Sequence, residues 1–578
     1  MSTIPSSDFR DDEKPHPWKV PSVSELYPSG VPQQLVYPNI AASQLLARSA
    51  ARFPDRIAAE FFQRQFSYQE IDQAATKLAA WLQARELHSG ARVGVLLPNC
   101  PEYLISLNAI WRAGAVAVSV SPLSVHSDVQ RLLKLTDCKA IINLDMLEGL
   151  LASSDLDHRL SVSLQPYLPQ WKQFVYRMAR WQRTRKIRFS IHTQQTSFWD
   201  AVEQSSGAIS PAEIIPSKDP AYILSTGGTT GAPKAVTLSH RNIVANAWQQ
   251  FHWIGGTSQS EQPQETMLSV LPFFHSYGMS TMLASGTALG ARLVMQPRFS
   301  VSTALKAITT RRPTIFHAVP AMLAAINQRL RVHRGRNPFD LSSLKWVISG
   351  GAALPVEVGS EFAHHSGAQV VEGYGLSEAS PVTHVGPLDG SNQFGTIGLP
   401  LPDTECRIVA LHDPKKELPS GEVGELLIRA PQVMLGYWKN QQATAQILQD
   451  GWLRTGDLAR RNARGFYQIV DRKKDLIITS GFNVYPADVE QVLRECDDVA
   501  DVAVIGVPDE SRGEIVKAFV VLNKGVRWNK SKLERFCKSR LAKHRRPRLW
   551  EHVKDDLPRN FLGKVIRREL RLSQDRRL

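Results

Sequence analysis

The stretch that decides the fold is Ala221-Tyr-Ile-Leu-Ser-Thr-Gly-Gly-Thr-Thr-Gly-Ala-Pro-Lys-Ala-Val236. Its apolar start predicts a buried strand, and residues 225–231 then supply small hydroxyl and glycine residues. Such a loop presents backbone N–H groups and hydroxyls to phosphate oxygens, and Lys234 adds positive charge. The Walker spacing GxxxxGK[ST] is absent, and Pro233 with the apolar run 235–238 favours strand–loop–strand over strand–loop–helix. A flexible Gly/Thr surface turn is the other interpretation of such a loop taken alone.

Strand and helix patterns alternate on the N-terminal side of this loop. A helical pattern begins after Ile40, and the next segments are a helical run, a buried strand, a second helical run and a second strand at 71–82, 92–97, 104–111 and 116–120. Strands that alternate with helical patterns are typical of α/β layers with parallel sheets. The sequence therefore predicts a large region of layered α/β subdomains.

A second change of pattern falls at Asp471-Arg-Lys-Lys-Asp475. The segments after it read as a helix at 487–495, strands at 502–507 and 518–521, and a basic helix at 532–543. About 100 residues is a common domain size. We therefore expect a flexible segment at 1–35, a large N-terminal domain at 36–470 and a small, mobile α+β C-terminal lid domain at 471–578, with a hinge at the charged run.

The segment 164–189 is basic and amphipathic. No Asp or Glu occurs between His158 and Trp199. On a helix, one stripe would carry Trp171, Phe174, Val175, Met178 and Trp181, and the other side would carry Lys172, Arg177, Arg180 and Arg183. An aromatic stripe beside cations is the pattern of helices that lie on anionic membranes. A helix packed on the protein with its basic face in water is the equal alternative.

Composition limits the class of protein. At 578 residues the chain is too long for one hydrophobic core, and 43% hydrophobic with 21% charged residues is typical of a globular enzyme. The five cysteines form no metal-type cluster, and the polar N-terminus lacks a secretory apolar core, so we expect a cytoplasmic protein without a membrane span. The net charge of +15 suits anionic partners or simply a solvated basic surface. The cations are not interleaved with aromatic residues as in a nucleic-acid module, so nucleic acid is not an expected partner.

Further motifs follow the loop in a fixed order. They are Leu271-Pro-Phe-Phe-His-Ser-Tyr-Gly278, Ile348-Ser-Gly-Gly-Ala-Ala-Leu-Pro355, Gly373-Tyr-Gly-Leu-Ser-Glu378, Gly421-Glu-Val-Gly-Glu-Leu426, Gly451-Trp-Leu-Arg-Thr-Gly-Asp457, Gly481-Phe-Asn-Val-Tyr-Pro486 and Leu557-Pro-Arg-Asn-Phe-Leu-Gly-Lys564. With the loop and the 471–475 run, this set resembles the adenylate-forming superfamily of acyl-CoA synthetases, luciferases and peptide-synthetase adenylation domains, from about Ile40 to Leu570. The resemblance implies that ATP activates a carboxylate as an acyl-adenylate, with Mg²⁺, before transfer to coenzyme A.

The resemblance also implies the phosphate and metal contacts. Glu378 is the implied Mg²⁺ ligand, since one carboxylate with phosphate oxygens and water is a typical Mg²⁺ arrangement. Lys564 is the implied ammonium for the carboxylate and the α-phosphate, and with Thr226, Lys234, Glu378 and His275 it forms the expected catalytic set. The expected phosphate-binding residues are Ser225, Thr226, Gly227, Gly228, Thr229, Thr230, Gly231 and Lys234.

The nucleoside and coenzyme A contacts are implied in the same way. Tyr374 would stack on adenine, and Asp457 with Arg472 would bind the ribose, because an ionised carboxylate accepts from both hydroxyls. Gly351 and Ser377 complete the expected nucleotide contacts. Lys474 is the implied hinge residue, and Ser480 and Gly481 would enter the site in the second half-reaction.

The acyl group is expected to be a medium- or long-chain fatty acid, because the loop 226–231 and the motifs of the C-terminal domain look like those of bacterial long-chain fatty-acid–CoA ligases. His275 would line the acyl pocket. Ala235 departs from the usual glycine and Ser377 from the commonest threonine; both substitutions are small. An acyl-AMP or aryl-acid ligase that loads a carrier protein is the alternative enzyme, and a non-catalytic basic binding protein is the alternative from another class. No oligomeric state is assigned.

Overall fold

The computed structural model describes residues 26–152, 154–184, 194–226, 234–255, 263–332, 338–480, 482–509, 511–560 and 563–575. The strands of the large domain are β1 Ile57–Phe61, β2 Arg64–Ser67, β3 Arg92–Leu96, β4 Val116–Ser119, β5 Cys138–Leu144, β6 His158–Val162, β7 Gln194–Ser197, β8 Pro220–Thr226, β9 Lys234–Ser239, β10 Thr266–Ser269, β11 Arg292–Met295, β12 Ile315–Ala318, β13 Trp346–Ser349, β14 Gln369–Gly375, β15 Val382–Val385, β16 Leu399–Pro400, β17 Glu405–Val409, β18 Gly424–Arg429, β19 Gly436–Tyr437, β20 Leu448–Gln449, β21 Trp452–Arg461 and β22 Tyr467–Arg472.

The helices of the large domain lie between these strands and agree with the predicted runs. Residues 71–82 fall within α2, where Ser67 and Glu70 form a reciprocal capping box that fixes the helix start. The helices are α1 Gln44–Arg52, α2 Tyr68–Gln83, α3 Pro101–Arg112, α4 His126–Thr136, α5 Gln170–Thr184, α6 Phe198–Glu203, α7 His240–Trp253, α8 Ser276–Gly278, α9 Ser285–Ala288, α10 Val301–Arg311, α11 Pro320–Val332, α12 Val356–Ser366 and α13 Gln441–Ile447.

Two large sheets form the layers. Sheet A has the order β19-β9-β8-β4-β3-β5-β6-β7, and sheet B has the order β16-β15-β14-β13-β12-β10-β11-β1-β2. Neighbours from β8 through β7 in sheet A and from β14 through β1 in sheet B run parallel, as the alternation of strands and helices predicts. Their shared core contains the fully buried rings of Tyr68, Tyr103, Tyr222 and Phe273. The layered α/β prediction for the large region is therefore confirmed.

Sheet C closes the large domain. It has the order β17-β18-β21-β20, and β22 pairs with the other edge of β21. β22 ends at Arg472, and the three-residue turn Lys473–Asp475 then leads directly into the small domain.

The small domain is built on sheet D. Its elements are β23 Ile477–Thr479, β24 Phe482–Val484, α14 Pro486–Arg494, β25 Val499–Asp509, β26 Gly513–Leu522, α15 Lys530–Lys538, β27 Leu549–His552 and α16 Arg567–Asp575. Sheet D has the order β24-β23-β26-β25, with β27 beside β26, so the predicted α+β composition is confirmed.

One helix is shorter than predicted. The basic helix expected at 532–543 ends at Lys538. The guanidinium of Arg546 donates to the carbonyl oxygens of Lys538 and Leu541, at 3.1 and 2.8 Å, and so satisfies carbonyls that a longer helix would have bonded internally.

The N-terminal segment is partly attached to the large domain. Residues 1–25 lie outside the described residues. Tyr27 donates to the carbonyl of Pro400 at 2.7 Å and packs on Trp253, and Leu35 N–H donates to Asp403 at 2.9 Å. These side-chain contacts are not visible in a Pro- and Ser-rich sequence, and the flexible segment expected at 1–35 stays a prediction. Within the described residues, every helix is too short or too polar to cross a bilayer.

Candidate functional site

A cleft of about 3270 Å³ lies where the carboxyl ends of the parallel strands in sheets A and B face sheet C and the small domain. Open α/β sheets bind ligands outside the carboxyl ends of their strands. Residues at or just after the carboxyl ends of β4, β12, β13 and β14 line this cleft, as do the last described side chains of β8 and residues from the turn 473–475 and the segment 563–572. The cleft therefore brings together motifs that lie up to 340 residues apart in the sequence.

The phosphate-loop motif begins and ends on a hairpin. β8 and β9 pair antiparallel with Ser225 opposite Ala235 and Thr226 opposite Lys234, so strand–loop–strand is confirmed. Ser225 and Lys234 line the cleft. The loop residues between these strands, including the predicted phosphate contacts Gly227, Gly228, Thr229, Thr230 and Gly231, lie outside the described residues.

A tyrosine connects the loop lysine to the predicted metal ligand. The Lys234 Nζ lies 4.8 Å from the centre of the Tyr437 ring, and the Tyr437 hydroxyl donates to Glu378 Oε1 at 2.8 Å. β19 places Tyr437 beside β9, because Tyr437 pairs with Val236. Burial and the neighbouring carboxylate raise the pKa of Tyr437, so its proton stays available to orient Glu378.

Glu378 fits a Mg²⁺ site of the type the sequence predicts. Its Oε2 accepts no hydrogen bond from any described residue, and its side chain lines the cleft near Lys234. Among the described residues, no group of three or more His, Cys, Asp and Glu side chains could hold a metal ion on its own. A single carboxylate that leaves the remaining positions to phosphate oxygens and water is how Mg²⁺ is commonly held. When bound, Mg²⁺ would neutralise charge on the phosphate oxygens.

Three of the predicted nucleoside contacts, Tyr374, Asp457 and Arg472, lie in contact with one another. The Tyr374 hydroxyl donates to Asp457 Oδ2 at 2.6 Å, and Arg472 Nε lies 3.4 Å from Asp457 Oδ1. β21 and β22 impose this pairing, since Asp457 is directly opposite Arg472 in their register. Burial and the Asp457 carboxylate raise the pKa of Tyr374 well above its usual value. The arrangement places an aromatic face beside a carboxylate whose orientation is fixed by Tyr374 and Arg472.

The remaining nucleotide-side predictions lie on the same wall. Ser377 shares a hydrogen bond with Ser276, with the two hydroxyl oxygens 3.0 Å apart. Gly351 adopts φ 80°, a backbone conformation that favours glycine, directly after β13. Both residues line the cleft.

His275 stands at the base of α8 on the cleft wall. Its Nδ1 accepts from the Tyr277 backbone N–H at 3.2 Å, so the side chain caps this short helix. Burial lowers the pKa of His275 to about 4, which leaves the imidazole neutral at physiological pH. A neutral ring fixed by its own helix can line a pocket or donate from Nε2, and it cannot supply a positive charge.

Lys564 reaches the cleft from the small domain. Gly563, at φ 79°, and Asn560 shape the turn that carries it, and Asn560 Oδ1 accepts from the Lys564 backbone N–H at 2.9 Å. A Cβ on Gly563 would lie 3.2 Å from the Ala321 side chain, so the turn touches the large domain. Burial, then the charge of Arg472, lowers the pKa of Lys564 to about 8. The same two causes lower the pKa of Lys474 to about 8.

Of the two predicted coenzyme A contacts, Ser480 is described and is not in the cleft. Ser480 ends β23 at φ 49°, and its backbone N–H donates to the Arg512 carbonyl at 2.8 Å; it does not line the cleft. Gly481 lies outside the described residues. The structure therefore presents Lys564, and not Ser480, to the nucleotide-side residues.

Sequence reasoning missed three residues of the cleft. Tyr437 and His317 lie outside the recognised motifs, and Glu372 directly precedes one. Burial raises the pKa of Glu372 to about 8, and its Oε2 accepts from the Leu354 N–H at 3.2 Å. Glu372 and His317 could have been noticed in the sequence, because each is a titratable residue within an apolar strand. No sequence feature marks Tyr437 as a residue of the cleft.

Comparison with known proteins agrees with this geometry. Residues 46–438 match the model of the AMP-binding enzyme family, and residues 488–564 match the AMP-binding enzyme C-terminal domain. A long-chain-fatty-acid–CoA ligase of Bacillus subtilis (strain 168) is 39% identical over 549 residues, covering 94% of this chain and 96% of the relative. The structure of ATP-bound MatB from Rhodopseudomonas palustris superposes with a TM-score of 0.77 at 27% identity, covering 92% of this chain and 99% of that chain. O-succinylbenzoate coenzyme A synthetase (MenE) from Bacillus subtilis, in complex with ATP and magnesium ion, gives a TM-score of 0.73 at 27% identity and covers 91% of this chain and 99% of that one.

The matched family models and these relatives define an enzyme that activates carboxylates with ATP. The chain belongs to the AMP-binding enzyme family. The predictions of an adenylate-forming enzyme, of an ATP-dependent acid–CoA ligase and of ATP, Mg²⁺ and coenzyme A as its cosubstrates and cofactor are confirmed at this level.

Proposed function

We propose that this ligase acts on medium- or long-chain fatty acids. The observation that carries this proposal is a set of apolar side chains from α7, from β15 and from the residues after β15 that line the cleft, which we call the acyl limb. Trp253 closes one side, with its indole N–H bonded to the Gly386 carbonyl at 3.2 Å so that only its apolar faces remain. The other lining side chains of this limb include Ile254, Val382, Val385 and Leu388. The Bacillus relative named as a long-chain-fatty-acid–CoA ligase supports the same assignment.

The reaction has two balanced steps. A carboxylate oxygen of the acid attacks the α-phosphorus of ATP, the bond from that phosphorus to the bridging oxygen breaks, and pyrophosphate leaves. The thiol of coenzyme A then loses its proton to solvent, its sulfur attacks the acyl carbonyl carbon, the carbon–oxygen bond to the phosphate breaks, and AMP leaves. Positioning and electrostatic stabilisation supply most of such catalysis.

We assign the following roles to residues of this site. Residues 225–231 and Lys234 hold the β- and γ-phosphates, Glu378 holds Mg²⁺, and Tyr437 orients Glu378. Tyr374, Asp457 and Arg472 bind the nucleoside, with Gly351 and Ser377 on the same wall. Lys564 brings its ammonium to the carboxylate and the α-phosphate, and His275 closes the mouth of the acyl limb.

The small domain, which follows the turn Lys473–Asp475, is proposed to alternate between two positions. Lys564 lies in the cleft in the position described here, which suits adenylation. Rotation about Lys474 would withdraw it and bring Ser480 and Gly481 in for transfer to coenzyme A. A turn of three residues between two sheets is the kind of boundary that absorbs such a backbone change.

ATP–pyrophosphate exchange with a panel of acids tests the substrate class, and consumption of coenzyme A in the same reactions tests the acceptor. We expect exchange to be strongest with aliphatic acids of medium or long chain, and coenzyme A to be consumed with the same preference. Exchange confined to aryl or amino acids would overturn the fatty-acid assignment. Exchange without thioester formation would point to a carrier-protein acceptor instead.

We also propose that α5 attaches the enzyme to the anionic inner face of the cytoplasmic membrane. The apolar stripe of this helix faces outward, because the opposite side holds it to the protein. Tyr176 donates to Asp145, and Arg180 pairs with Asp145 and Glu148 at 3.5 and 3.8 Å. The residues of the outward stripe, each between 43% and 68% exposed, are Trp171, Phe174, Val175, Met178 and Trp181.

The side chains around this stripe are positively charged, which favours binding to an anionic surface. Lys172 and Arg177 flank the stripe on its two sides, and the surrounding segment contains no carboxylate from residue 158 to 199. Surface helices normally turn their apolar face to the core, so an apolar face held outward by buried carboxylates needs a partner. Anionic lipid headgroups would bind the flanking cations, and lipid acyl chains would cover the apolar stripe.

Vesicle co-sedimentation tests this attachment. Binding to vesicles that contain phosphatidylglycerol should fall at least tenfold when Trp171, Phe174 and Trp181 become Ser, and it should exceed binding to purely zwitterionic vesicles. Val36→Ser, at a side chain that is 93% exposed elsewhere, is the matched control and should bind as the wild type does. Equal binding by the triple variant would refute the proposal.

A further inference from the structure

The turn that carries Lys564 is closed by hydrogen bonds between its two sides. The Ile566 N–H donates to the Pro558 carbonyl at 2.8 Å, and the Asn560 N–H donates to the Lys564 carbonyl at 2.9 Å. The described residues on the two sides of the turn thus pair antiparallel, and the backbone of Lys564 takes part in this pairing. The Lys564 ammonium is therefore placed only as well as the turn itself is placed.

Arg559 ties this turn to the sheet of the small domain. One terminal nitrogen of its guanidinium donates to the carbonyl of Gly563, the residue directly before Lys564. The other terminal nitrogen donates to Asp501 Oδ2 and forms an ion pair with it. Because the guanidinium is planar and its donors point in fixed directions, one group spans from the turn to β25.

The backbone around Asp501 aims its carboxylate at the turn. β25 is an edge strand of sheet D, and its register with β26 shifts between Val499 and Asp501, so that Ala500 is an extra residue in β25. Bulges of this kind redirect side chains and are frequent at sheet edges beside active sites. Asp501 Oδ1 accepts from the Val502 N–H at 2.9 Å, which leaves Oδ2 to accept from Arg559. The carboxylate is therefore held at both oxygens.

Apolar packing fixes the base of the turn, and the ion pair acts nearer to Lys564. Leu557 is 3% exposed and lies with Phe519 in one apolar cluster of the small domain, against which Val565 also packs. Gly563 has no side chain to pack, and its carbonyl is the group that accepts from Arg559. Loss of the ion pair should therefore loosen the turn next to Lys564 and leave the apolar core of the domain intact.

We propose that Asp501 and Arg559 are positioning residues for adenylation, because their ion pair holds the turn in the place where Lys564 reaches the carboxylate and the α-phosphate. This inference rests on the proposed function, since the role of Lys564 is assigned there. Asp501, Arg559 and Lys564 all line the cleft, and neither member of the ion pair touches the reacting atoms in this proposal. A misplacement of about 1 Å can cost about 10²-fold in rate, so a loosened turn should be visible in kcat.

The test measures ATP–pyrophosphate exchange with whichever acid the panel shows to be preferred. Asp501→Asn should lower kcat about tenfold and leave the KM for ATP nearly unchanged. Arg559→Ala should lower kcat at least as much, and the double variant should lose no more than Arg559→Ala alone, because both changes break the same contact. Asp501→Glu, which keeps the carboxylate, should recover part of the rate.

A second ion pair of the same domain supplies the matched control. Asp498, directly before β25, pairs with Lys532 at 2.7 Å. Asp498→Asn removes the same kind of charge from the other side of the domain and should leave exchange unchanged.

Two readouts separate positioning from damage to the fold. Transfer from pre-made acyl-AMP to coenzyme A should keep the wild-type rate in Asp501→Asn, since Lys564 is proposed to be withdrawn from the cleft in that step. In the Lys564→Ala background, Asp501→Asn should cause no further loss of exchange, because a positioning residue acts only through the group that it positions.

Several outcomes would overturn the proposal. They are a tenfold loss that persists in the Lys564→Ala background, equal losses in both half-reactions, and a wild-type exchange rate in Asp501→Asn. The last outcome together with an impaired Arg559→Ala would mean that Arg559 contacts the substrate itself. Wild-type exchange in Lys564→Ala would instead refute the role that the proposed function gives to Lys564.

Discussion

Lys564 should give the adenylation step an alkaline limit. Its pKa falls from 10.5 to about 8 because the ammonium is buried and faces Arg472, Arg567 and Lys474, against which Asp457 acts alone. At about 1.4 kcal/mol for each tenfold change in proton affinity, the surroundings disfavour the charged form by about 3 kcal/mol. A bound anion relieves that cost, which is the expected property of a site prepared for phosphate and carboxylate.

The direction of the pH effect follows because the charged ammonium is the form that stabilises the reacting phosphate. The ammonium is present below pH 8 and is lost above it, so kcat/KM for acid-dependent exchange should be level near pH 7 and fall tenfold per unit well above pH 8. Exchange omits coenzyme A, so the thiol does not contribute to this profile. Lys564→Ala should lose roughly 10²–10³ in rate, the usual effect of removing one such electrostatic stabiliser, and should show no alkaline limb.

Two further variants test whether the alkaline limb is caused by deprotonation of Lys564. Lys474→Gln removes a neighbouring cation, which raises the pKa of Lys564 and moves the alkaline limb to higher pH. Lys564→Arg keeps its charge throughout the range, so any residual activity should lack the limb. The reasoning is refuted if the limb stays at the same pH in Lys474→Gln, or if Lys564→Ala retains the wild-type profile.

Other predictions use contacts of the same cleft and one of the core. Glu378→Gln should raise the Mg²⁺ concentration for half-maximal exchange at least tenfold. Tyr437→Phe, which removes only the hydrogen bond to the Glu378 carboxylate, should raise it about tenfold. The control Glu361→Gln, on α12, should leave it unchanged. Asp457→Asn should raise the KM for ATP more than it lowers kcat, and equal KM values would contradict a ribose contact. Tyr68→Phe should lower the free energy of unfolding by about 1 kcal/mol in a denaturant titration, because a fully buried hydroxyl loses a 2.8 Å hydrogen bond.

The fold could be predicted because its signals are local. The apolar run after Ala221 and the β-favouring residues after Lys234 fall where the structure has β8 and β9, whereas β22 continues through the first two residues of the charged run 471–475. The end of α15 could not be predicted, because Arg546 fixes it from outside the helix. The attachment of Tyr27 to Pro400 was hidden for the same reason: the partner is 373 residues away.

The residues of the site also divide into those that local sequence identifies and those that only the structure identifies. Residues within ordered motifs, such as Asp457 and Lys564, could be assigned roles because their neighbours in sequence identify them. Tyr437 contributes through its position beside β9, a pairing that no sequence pattern announces. His317 looks like a core histidine in sequence, and only its unused ring nitrogens on a cleft wall distinguish it from His384.

The contacts around the turn 473–475 show where a rotation of the small domain would act. Lys473 is tied to the large domain through Glu425, at 2.9 Å. Asp475 is tied to the small domain through Arg571, at 2.9 Å, and Arg567, at 3.6 Å.

Lys474 is the one residue between these two sets of ion pairs. A rotation about its backbone therefore preserves both sets and breaks contacts that cross the boundary, such as the hydrogen bond from the Ala487 N–H to Asp471 at 2.9 Å. The same rotation removes Lys564 from Asp457 and frees the lowered-pKa ammonium from its buried position, which offsets part of the cost of breaking the interface. Of Lys564 and Ser480, only Lys564 lines the cleft, so the roles proposed for these two residues require two positions of the small domain.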